Sequence, residues 1–147
     1  MRDEVRQNEI AHRVIGCSLM VHRRIGPGCF ESAYAPCLAH ELSREGFRFE
    51  VDVAMDLVYE GLIVPRAYRV DVIVEDCVLI EIKALEQTSR VHARQVLTYL
   101  KLTGLGLGFL LNFGAKTMVE GVQRIVNNFP HGTEPIGRRS PDSAFER

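Results

Sequence analysis

The spacing of apolar residues predicts two N-terminal helices followed by a β-rich middle. A helical stripe occupies the first part of the chain, at Ile10, Val14, Cys17 and Val21. It predicts a helix over about 3–24, which Gly26-Pro27-Gly28 would end. A second helix is expected over about 30–44 and contains Pro36, which removes one backbone hydrogen bond. Residues 47–57 then alternate between apolar and mostly polar side chains, as a half-buried strand does.

The chain turns at Glu60-Gly61, and Pro65 is then expected to interrupt strand pairing. A hairpin pattern follows. Residues 68–83 read Y-R-V-D-V-I-V-E-D-C-V-L-I-E-I-K. A three-residue loop at 75–77 would give one wholly apolar face, on which the pairs are Val74 with Val78, Val72 with Ile80, and Val70 with Ile82. The other face would pair Ile73 with Leu79, Asp71 with Glu81, and Arg69 with Lys83.

Two carboxylates side by side in a β-forming run need a physical explanation. Asp71 and Glu81 would repel each other unless a proton or a cation lies between them. Their oxygen atoms suit a hard divalent ion, and the ammonium of Lys83 could stabilise developing negative charge. The alternative is a cross-strand ladder of ion pairs on a solvated face, formed by Arg69, Asp71, Glu81 and Lys83. The hairpin by itself leaves both interpretations open.

The C-terminal half predicts a helix and at least one buried strand. A helix over about 89–103 places His92, Gln95 and Tyr99 on one face. The apolar run 107–113 reads as a strand parallel to a partner, with the helix as a right-handed crossover. Residues 118–126 form a last strand or short helix. These elements predict an α/β sandwich with a mixed sheet.

Composition limits the classes of function. The chain has 147 residues, 46% of them hydrophobic, and a formal net charge of -1. We expect one domain over 1–129 and a mobile tail over 130–147, which has no periodicity. The near-neutral charge argues against tight, non-specific duplex binding by a monomer. Because no segment reads as a signal peptide or membrane span, we expect a cytoplasmic protein without membrane contact.

The glycines after the third helix do not indicate a nucleotide site. Gly104, Gly106 and Gly108 follow a helix and precede a strand, which is the reverse of the dinucleotide-binding order. We therefore expect no nucleotide cofactor. These glycines are expected to end the helix and to allow close packing of the strand.

Three motifs give the chain its resemblance to a known family. They are Gly28-Cys29-Phe30-Glu31-Ser32-Ala33-Tyr34, then Asp71 followed by Glu81-Ile82-Lys83, and Gln95-Val96-Leu97-Thr98-Tyr99. With these motifs in this order along the chain, the protein resembles the PD-(D/E)XK nuclease superfamily over about residues 8–127. More closely, it resembles the GxxExxY proteins within that superfamily. The resemblance implies a restriction-endonuclease-like α/β/α sandwich with a central mixed sheet.

The resemblance also implies roles for individual residues. Asp71 and Glu81 would bind Mg²⁺ or Mn²⁺ with the backbone carbonyl of Ile82, and Glu31 would add a further carboxylate. Lys83 would orient or activate the attacking water and stabilise the transition state. Gln95 and Tyr99 would position Lys83 or a substrate phosphate.

Three further residues have alternative roles. His92 either contacts a phosphate or has no part in the chemistry. Tyr34 either packs in the interior or holds the carboxylate of Glu31. Arg69 either pairs with Asp71 or reaches a phosphate.

The function expected is therefore divalent-metal-dependent hydrolysis of nucleic acid, with DNA as the first substrate to consider. One alternative is a non-catalytic module that uses the same scaffold to bind nucleic acid or a protein. Another is a structural protein whose charges form a solvated ladder. A small, near-neutral nuclease domain often needs a second copy to grip its substrate, so a homodimer is a further expectation.

Overall fold

The structure is a computed structural model that describes residues 2–128 and 134–141. Its elements in chain order are α1 (Arg2–Ile25), α2 (Glu31–Arg44), β1 (Phe49–Tyr59), β2 (Leu62–Val74), β3 (Val78–Lys83), α3 (Arg90–Thr103), β4 (Leu107–Asn112), α4 (Met118–Gly121), β5 (Val122–Val126) and β6 (Gly137–Arg139). The helix–helix–meander–helix–strand order matches the sequence prediction. Residues 118–126 form both a short helix and a strand.

The strands of the described residues form one mixed sheet in the order β5-β4-β3-β2-β1-β6. Strands β3 and β4 are parallel, and the other neighbours are antiparallel. Helix α3 connects the parallel pair, since a parallel connection needs a long crossover. This confirms the predicted mixed sheet and the parallel placement of the strand after α3.

Two apolar clusters bury the two faces of the sheet. On one face, α1 and α2 pack against residues of β2, β3 and β4, including Val72, Ile80 and Phe109. On the other face, Val96 and Leu100 of α3 pack against a second cluster. The close approach of α3 needs Gly108, because a Cβ there would lie 2.9 Å from Val96 Cγ1. The arrangement is the expected α/β/α sandwich.

The predicted hairpin register is confirmed for three pairs: Val72–Ile80, Ile73–Leu79 and Val74–Val78. The prediction for Val70 was wrong. Val70 lies in the cluster under α3, whereas Val72 and Val74 lie in the cluster under α1 and α2.

The change of face coincides with an irregularity in the neighbouring strand. The β1–β2 ladder passes from Val51–Val72 to Val53–Val70, and Asp52 between them has a left-handed backbone with φ of 50°. A residue in this conformation breaks the two-residue alternation of a strand. The apolar face is therefore interrupted just beside Asp71.

Pro65 interrupts the pairing of β2 with β1, as expected, because the ladder passes from Leu57–Val64 to Met55–Tyr68 and omits residues 65–67. The strand itself continues through Pro65, and the β1–β2 register shifts between Met55 and Leu57. The backbone N–H of Arg66 is satisfied by Asp56, whose Oδ1 accepts it at 2.9 Å. A side-chain acceptor thus replaces ladder pairing at the irregular position.

Strand β6 lies beyond residue 129, where we placed the end of the domain, and we did not predict it. It pairs antiparallel with β1 and is tied by ion pairs. Arg138 Nε lies 3.1 Å from Asp56 Oδ2, and Arg139 Nη2 lies 2.7 Å from Glu50 Oε1 and from Asp76 Oδ1. Residues 130–133 and 142–147 of the expected tail lie outside the described residues, and its mobility stays a prediction.

No helix in the part of the chain that the structure describes combines the length and the apolar character needed to cross a membrane.

Replacing Gly137 by alanine should destabilise the fold. The new Cβ would lie 2.2 Å from Tyr68 Oη and 2.7 Å from Leu102 O, so β6 must shift. Overpacking of this kind costs about 1–3 kcal/mol. The control is Gly16→Ala in α1, where a Cβ meets nothing within 4 Å. It should stabilise the protein by about 0.5–1 kcal/mol. Thermal melting compares the two, and equal or higher melting temperature for Gly137→Ala would contradict the described place of β6.

Candidate active site

The β2–β3 hairpin brings together two carboxylates and a lysine. The backbone N–H of Ile82 donates to Asp71 Oδ2 at 2.7 Å, which fixes the aspartate beside β3. Glu81 is buried, with 6% of its surface exposed, and is hydrogen-bonded to Asp71. Lys83 Nζ lies 3.7 Å from Glu81 Oε1. The expected adjacency of Asp71, Glu81 and Lys83 is therefore present.

Burial makes this carboxylate pair resist ionisation. Burial raises the pKa of Glu81 to about 8, the negative charge of Asp71 adds to this, and Lys83 opposes it. The pKa of Asp71 is also raised by burial, against the hydrogen bond from Ile82 N–H. Such a pair shares a proton near neutral pH. Glu81 Oε2 is buried and has no hydrogen-bond partner among the described residues.

Glu31 stands near the pair without joining it as a third ligand. It is the first residue of α2 and is exposed, and its charge raises the pKa of both Asp71 and Glu81. Within residues 2–128 and 134–141, however, no three His, Cys, Asp or Glu side chains form a group that could hold a metal ion. The expected role of Glu31 as a metal ligand stays a prediction.

Tyr34 packs in the interior, which is one of the two alternatives considered for it. Its ring is fully buried and stacks on Phe113, with centroids 4.7 Å apart. Its hydroxyl donates to Gly26 O and accepts the backbone N–H of Cys29 at 3.0 Å. Tyr34 thus holds the loop before α2 and, through it, the position of Glu31.

Helix α3 brings Tyr99, with Gln95 hydrogen-bonded to it, near the carboxylate pair. Gln95 Nε2 donates to Tyr99 Oη at 3.0 Å. Burial raises the pKa of Tyr99, as do the charges of Glu81 and Asp71, so its hydroxyl lies within their electrostatic reach. Tyr68 of β2 stacks on Tyr99 at 5.3 Å between centroids. Sequence reasoning missed Tyr68, because a single tyrosine in a strand does not reveal which ring it will meet.

His92 and Arg69 have structural contacts of their own. His92 Nδ1 accepts the backbone N–H of Ser89 at 3.0 Å and caps α3. A contact between His92 and a phosphate stays a prediction. Arg69 is exposed, and its Nη1 donates to Asp52 O at 3.3 Å. This contact holds Arg69 beside Asp52, the residue with the left-handed backbone that lies opposite Asp71 on the neighbouring strand.

Asn112 is a buried residue of the site region that sequence reasoning missed. It lies beside Lys83 in the parallel β3–β4 ladder. Its Oδ1 accepts from Leu85 N at 2.9 Å and its Nδ2 donates to Leu85 O at 2.9 Å. Asn112 therefore fixes the chain just after Lys83. The available signal was an amide that ends an otherwise apolar run, L-G-F-L-L-N.

A mixed sheet between helices, with an aspartate on one strand and Glu-x-Lys on the next, defines the restriction-endonuclease-like class of fold. A family model described as the PD-(D/E)XK nuclease superfamily matches residues 8–125, and the chain belongs to this superfamily. No curated protein and no solved structure matches the chain significantly.

The raised pKa of Glu81 predicts how metal-free stability depends on pH. The folded protein holds a proton that the unfolded chain releases above its ordinary pKa of 4.5. Stability is therefore expected to fall as pH rises from about 4.5 to about 8. Glu81→Gln cannot ionise, so its melting temperature should fall less over this range when measured in EDTA. Glu9→Gln, at an exposed position of α1, should behave as the wild type. Parallel curves for wild type and Glu81→Gln would contradict the assignment.

Proposed function

We propose that the protein is a divalent-metal-dependent nuclease whose metal is held by Asp71 and Glu81. The observation that carries this proposal is the buried carboxylate pair with Lys83 Nζ 3.7 Å from Glu81 Oε1. Burying two carboxylates together is costly, and Lys83 beside Glu81 and the Ile82 N–H on Asp71 offset only part of that cost, since the pKa of both carboxyls stays raised. A cation between the two carboxylates would offset it.

The donor set fits Mg²⁺ or Mn²⁺. Carboxylate oxygens are the ligands these hard ions prefer, and Glu81 Oε2 has no hydrogen-bond partner among the described residues. The Ile82 carbonyl and Glu31 are the further oxygen ligands that we propose. When bound, the metal would polarise a phosphate oxygen and lower the pKa of a water molecule.

Lys83 would act on the phosphate and on the attacking water. Its ammonium, held beside Glu81, can orient a water molecule by hydrogen bonding and can stabilise the negative charge that develops on the phosphate oxygens. Asn112 and the Phe113 N–H, which donates to Lys83 O at 2.8 Å, keep the end of β3 in place. A lysine on a fixed backbone loses less conformational freedom when it reaches its target.

Gln95 and Tyr99 would position a phosphate oxygen or the Lys83 ammonium. Because Tyr99 Oη accepts from Gln95 Nε2, its own proton is available for donation. The raised pKa of Tyr99 keeps that proton in place at neutral pH. Stacking on Tyr68 then limits how far the Tyr99 ring can move.

We also propose a narrower family, a substrate, a compartment and an oligomeric state for the protein. We propose membership of the GxxExxY proteins, because Tyr34 fixes the loop that presents Glu31 and so links two residues of that motif. We propose DNA as the substrate, the cytoplasm as the compartment, and a homodimer as the form that grips the substrate. The net charge of -1 is the reason to expect a second copy.

A second candidate function is a non-catalytic module that binds nucleic acid or a protein. One observation favours it: within the described residues, Glu31 does not join Asp71 and Glu81 in a group able to hold a metal. A scaffold that has lost its metal would keep the fold and bind without cleaving. Metal binding separates the two candidates.

Calorimetric titration with Mn²⁺ should show binding by the wild type and none by the Asp71→Asn/Glu81→Gln double variant. The pair holds a proton near neutral pH, so binding should release it and should strengthen as pH rises toward 8. Titration in buffers of different ionisation enthalpy measures the released proton. Binding that survives in the double variant would place the metal elsewhere, and absence of binding by both would favour the non-catalytic module.

Lys83→Ala should lower the rate of nucleic-acid cleavage by about 10²–10³-fold, as removal of one charge-stabilising group does in other enzymes. Metal affinity should change little, since the carboxylates remain. Lys101→Ala, at an exposed position late in α3, is the matched control and should cleave at the wild-type rate. A Lys83→Ala protein that cleaves normally would remove Lys83 from the mechanism.

A further inference from the structure

Phe30 occupies a position that its local structure does not explain. It is the N-cap residue of α2, and 78% of its surface is exposed. Serine, threonine, aspartate and asparagine are preferred at this position, because their side chains cap the free N–H groups of the helix. Phe30 makes no such hydrogen bond and leaves an apolar ring in water.

The backbone that carries this ring is held firmly. Phe30 O accepts from Ala33 N at 2.9 Å and from Tyr34 N at 3.2 Å. The Tyr34 hydroxyl binds Gly26 O and Cys29 N, on the other side of Phe30 in the chain. An exposed ring on a fixed backbone loses little conformational freedom on binding, which favours it as a contact residue.

The start of α2, which carries Phe30, lies near the candidate active site, since the charge of Glu31 acts on Asp71 and Glu81. Tyr34 stacks on Phe113, and the Phe113 N–H donates to Lys83 O at 2.8 Å. Phe30 also directly precedes Glu31. Arg23 and Arg24, in the last turn of α1 just before this loop, are both exposed.

We propose that Phe30 stacks on a base of the nucleic acid bound at Asp71, Glu81 and Lys83, and that this base is unpaired. The proposal rests on the proposed function and names its substrate class: single strands, or duplexes with an unpaired stretch. Aromatic side chains bind single strands by stacking, whereas the bases of a duplex are already stacked on their neighbours. The exposed arginines in the last turn of α1, just before the loop that leads to Phe30, suit the phosphates that flank such a base.

The absence of tryptophan from the whole sequence allows a direct test. Phe30→Trp places a single indole at the proposed contact, and stacking on a base should quench its fluorescence. The protein control is Tyr59→Trp, because Tyr59 is 62% exposed and lies at the turn between β1 and β2, at the other end of β2 from Asp71. Both proteins also carry Asp71→Asn, which removes a proposed metal ligand, so that the bound DNA is not cleaved during the measurement.

The ligands are a labelled 12-nucleotide single-stranded DNA, an abasic strand of the same length and the corresponding duplex. Anisotropy of the label reports binding, and tryptophan emission reports stacking. We expect the single strand to quench Phe30→Trp but not Tyr59→Trp, and the abasic strand to quench neither. Compared with the Asp71→Asn protein that keeps Phe30, Phe30→Ala should weaken binding of the single strand about tenfold, and Phe30→Tyr should leave this binding unchanged.

Four results would overturn the proposal. Binding of the single strand with unchanged Phe30→Trp emission would reject stacking and leave the nuclease proposal intact. Equal binding and quenching by the duplex would reject the unpaired base. Emission that depends on protein concentration without DNA would assign the ring to an interface between copies of the chain. If no strand binds to the Asp71→Asn protein or the wild type, the nucleic-acid function fails together with the stacking.

Discussion

The site depends on two carboxylates that the β2–β3 hairpin forces together in a largely buried place. Asp71 and Glu81 cannot both be charged there without a counter-ion, and burial raises the pKa of Glu81 to about 8. The hydrogen bond from Ile82 N–H to Asp71 fixes the pair in the sheet itself. Lys83 offsets part of the repulsion, and a proton or a metal ion between the two carboxylates would offset the rest.

The surrounding elements are arranged to keep this pair in place. On one side, Tyr34 joins the start of α2 to Phe113 and hence to the end of β3. On the other side, Tyr99 of α3 contacts Tyr68 of the strand that carries Asp71. Strand β6 lies close to this stack, since a Cβ at Gly137 would clash with the Tyr68 hydroxyl. Strand β6, near the C-terminus, is thus connected to the site region through the Tyr68 ring, which stacks on Tyr99.

Local periodicity was enough to predict most of the fold and the central pair. The two-residue alternation of Val72, Val74, Val78 and Ile80 selected the hairpin register, and with it the adjacency of Asp71 and Glu81. It failed at Val70, because the left-handed backbone of Asp52 lies on a neighbouring strand. Strand β6 escaped prediction for a similar reason: it is held by ion pairs to Glu50, Asp56 and Asp76, which are distant in sequence. The burial of Tyr34 and the cap formed by His92 likewise depend on where other segments lie.

The most direct test of the central claim is the anomalous scattering of Mn²⁺ in crystals of the wild type grown near pH 8. At this pH the proton shared by Asp71 and Glu81 can be displaced, so the metal competes well. One strong peak is expected within about 2.6 Å of an oxygen of each of the two carboxylates. A strong Mn²⁺ peak elsewhere, or none while the two carboxylates remain hydrogen-bonded to each other, would contradict this claim.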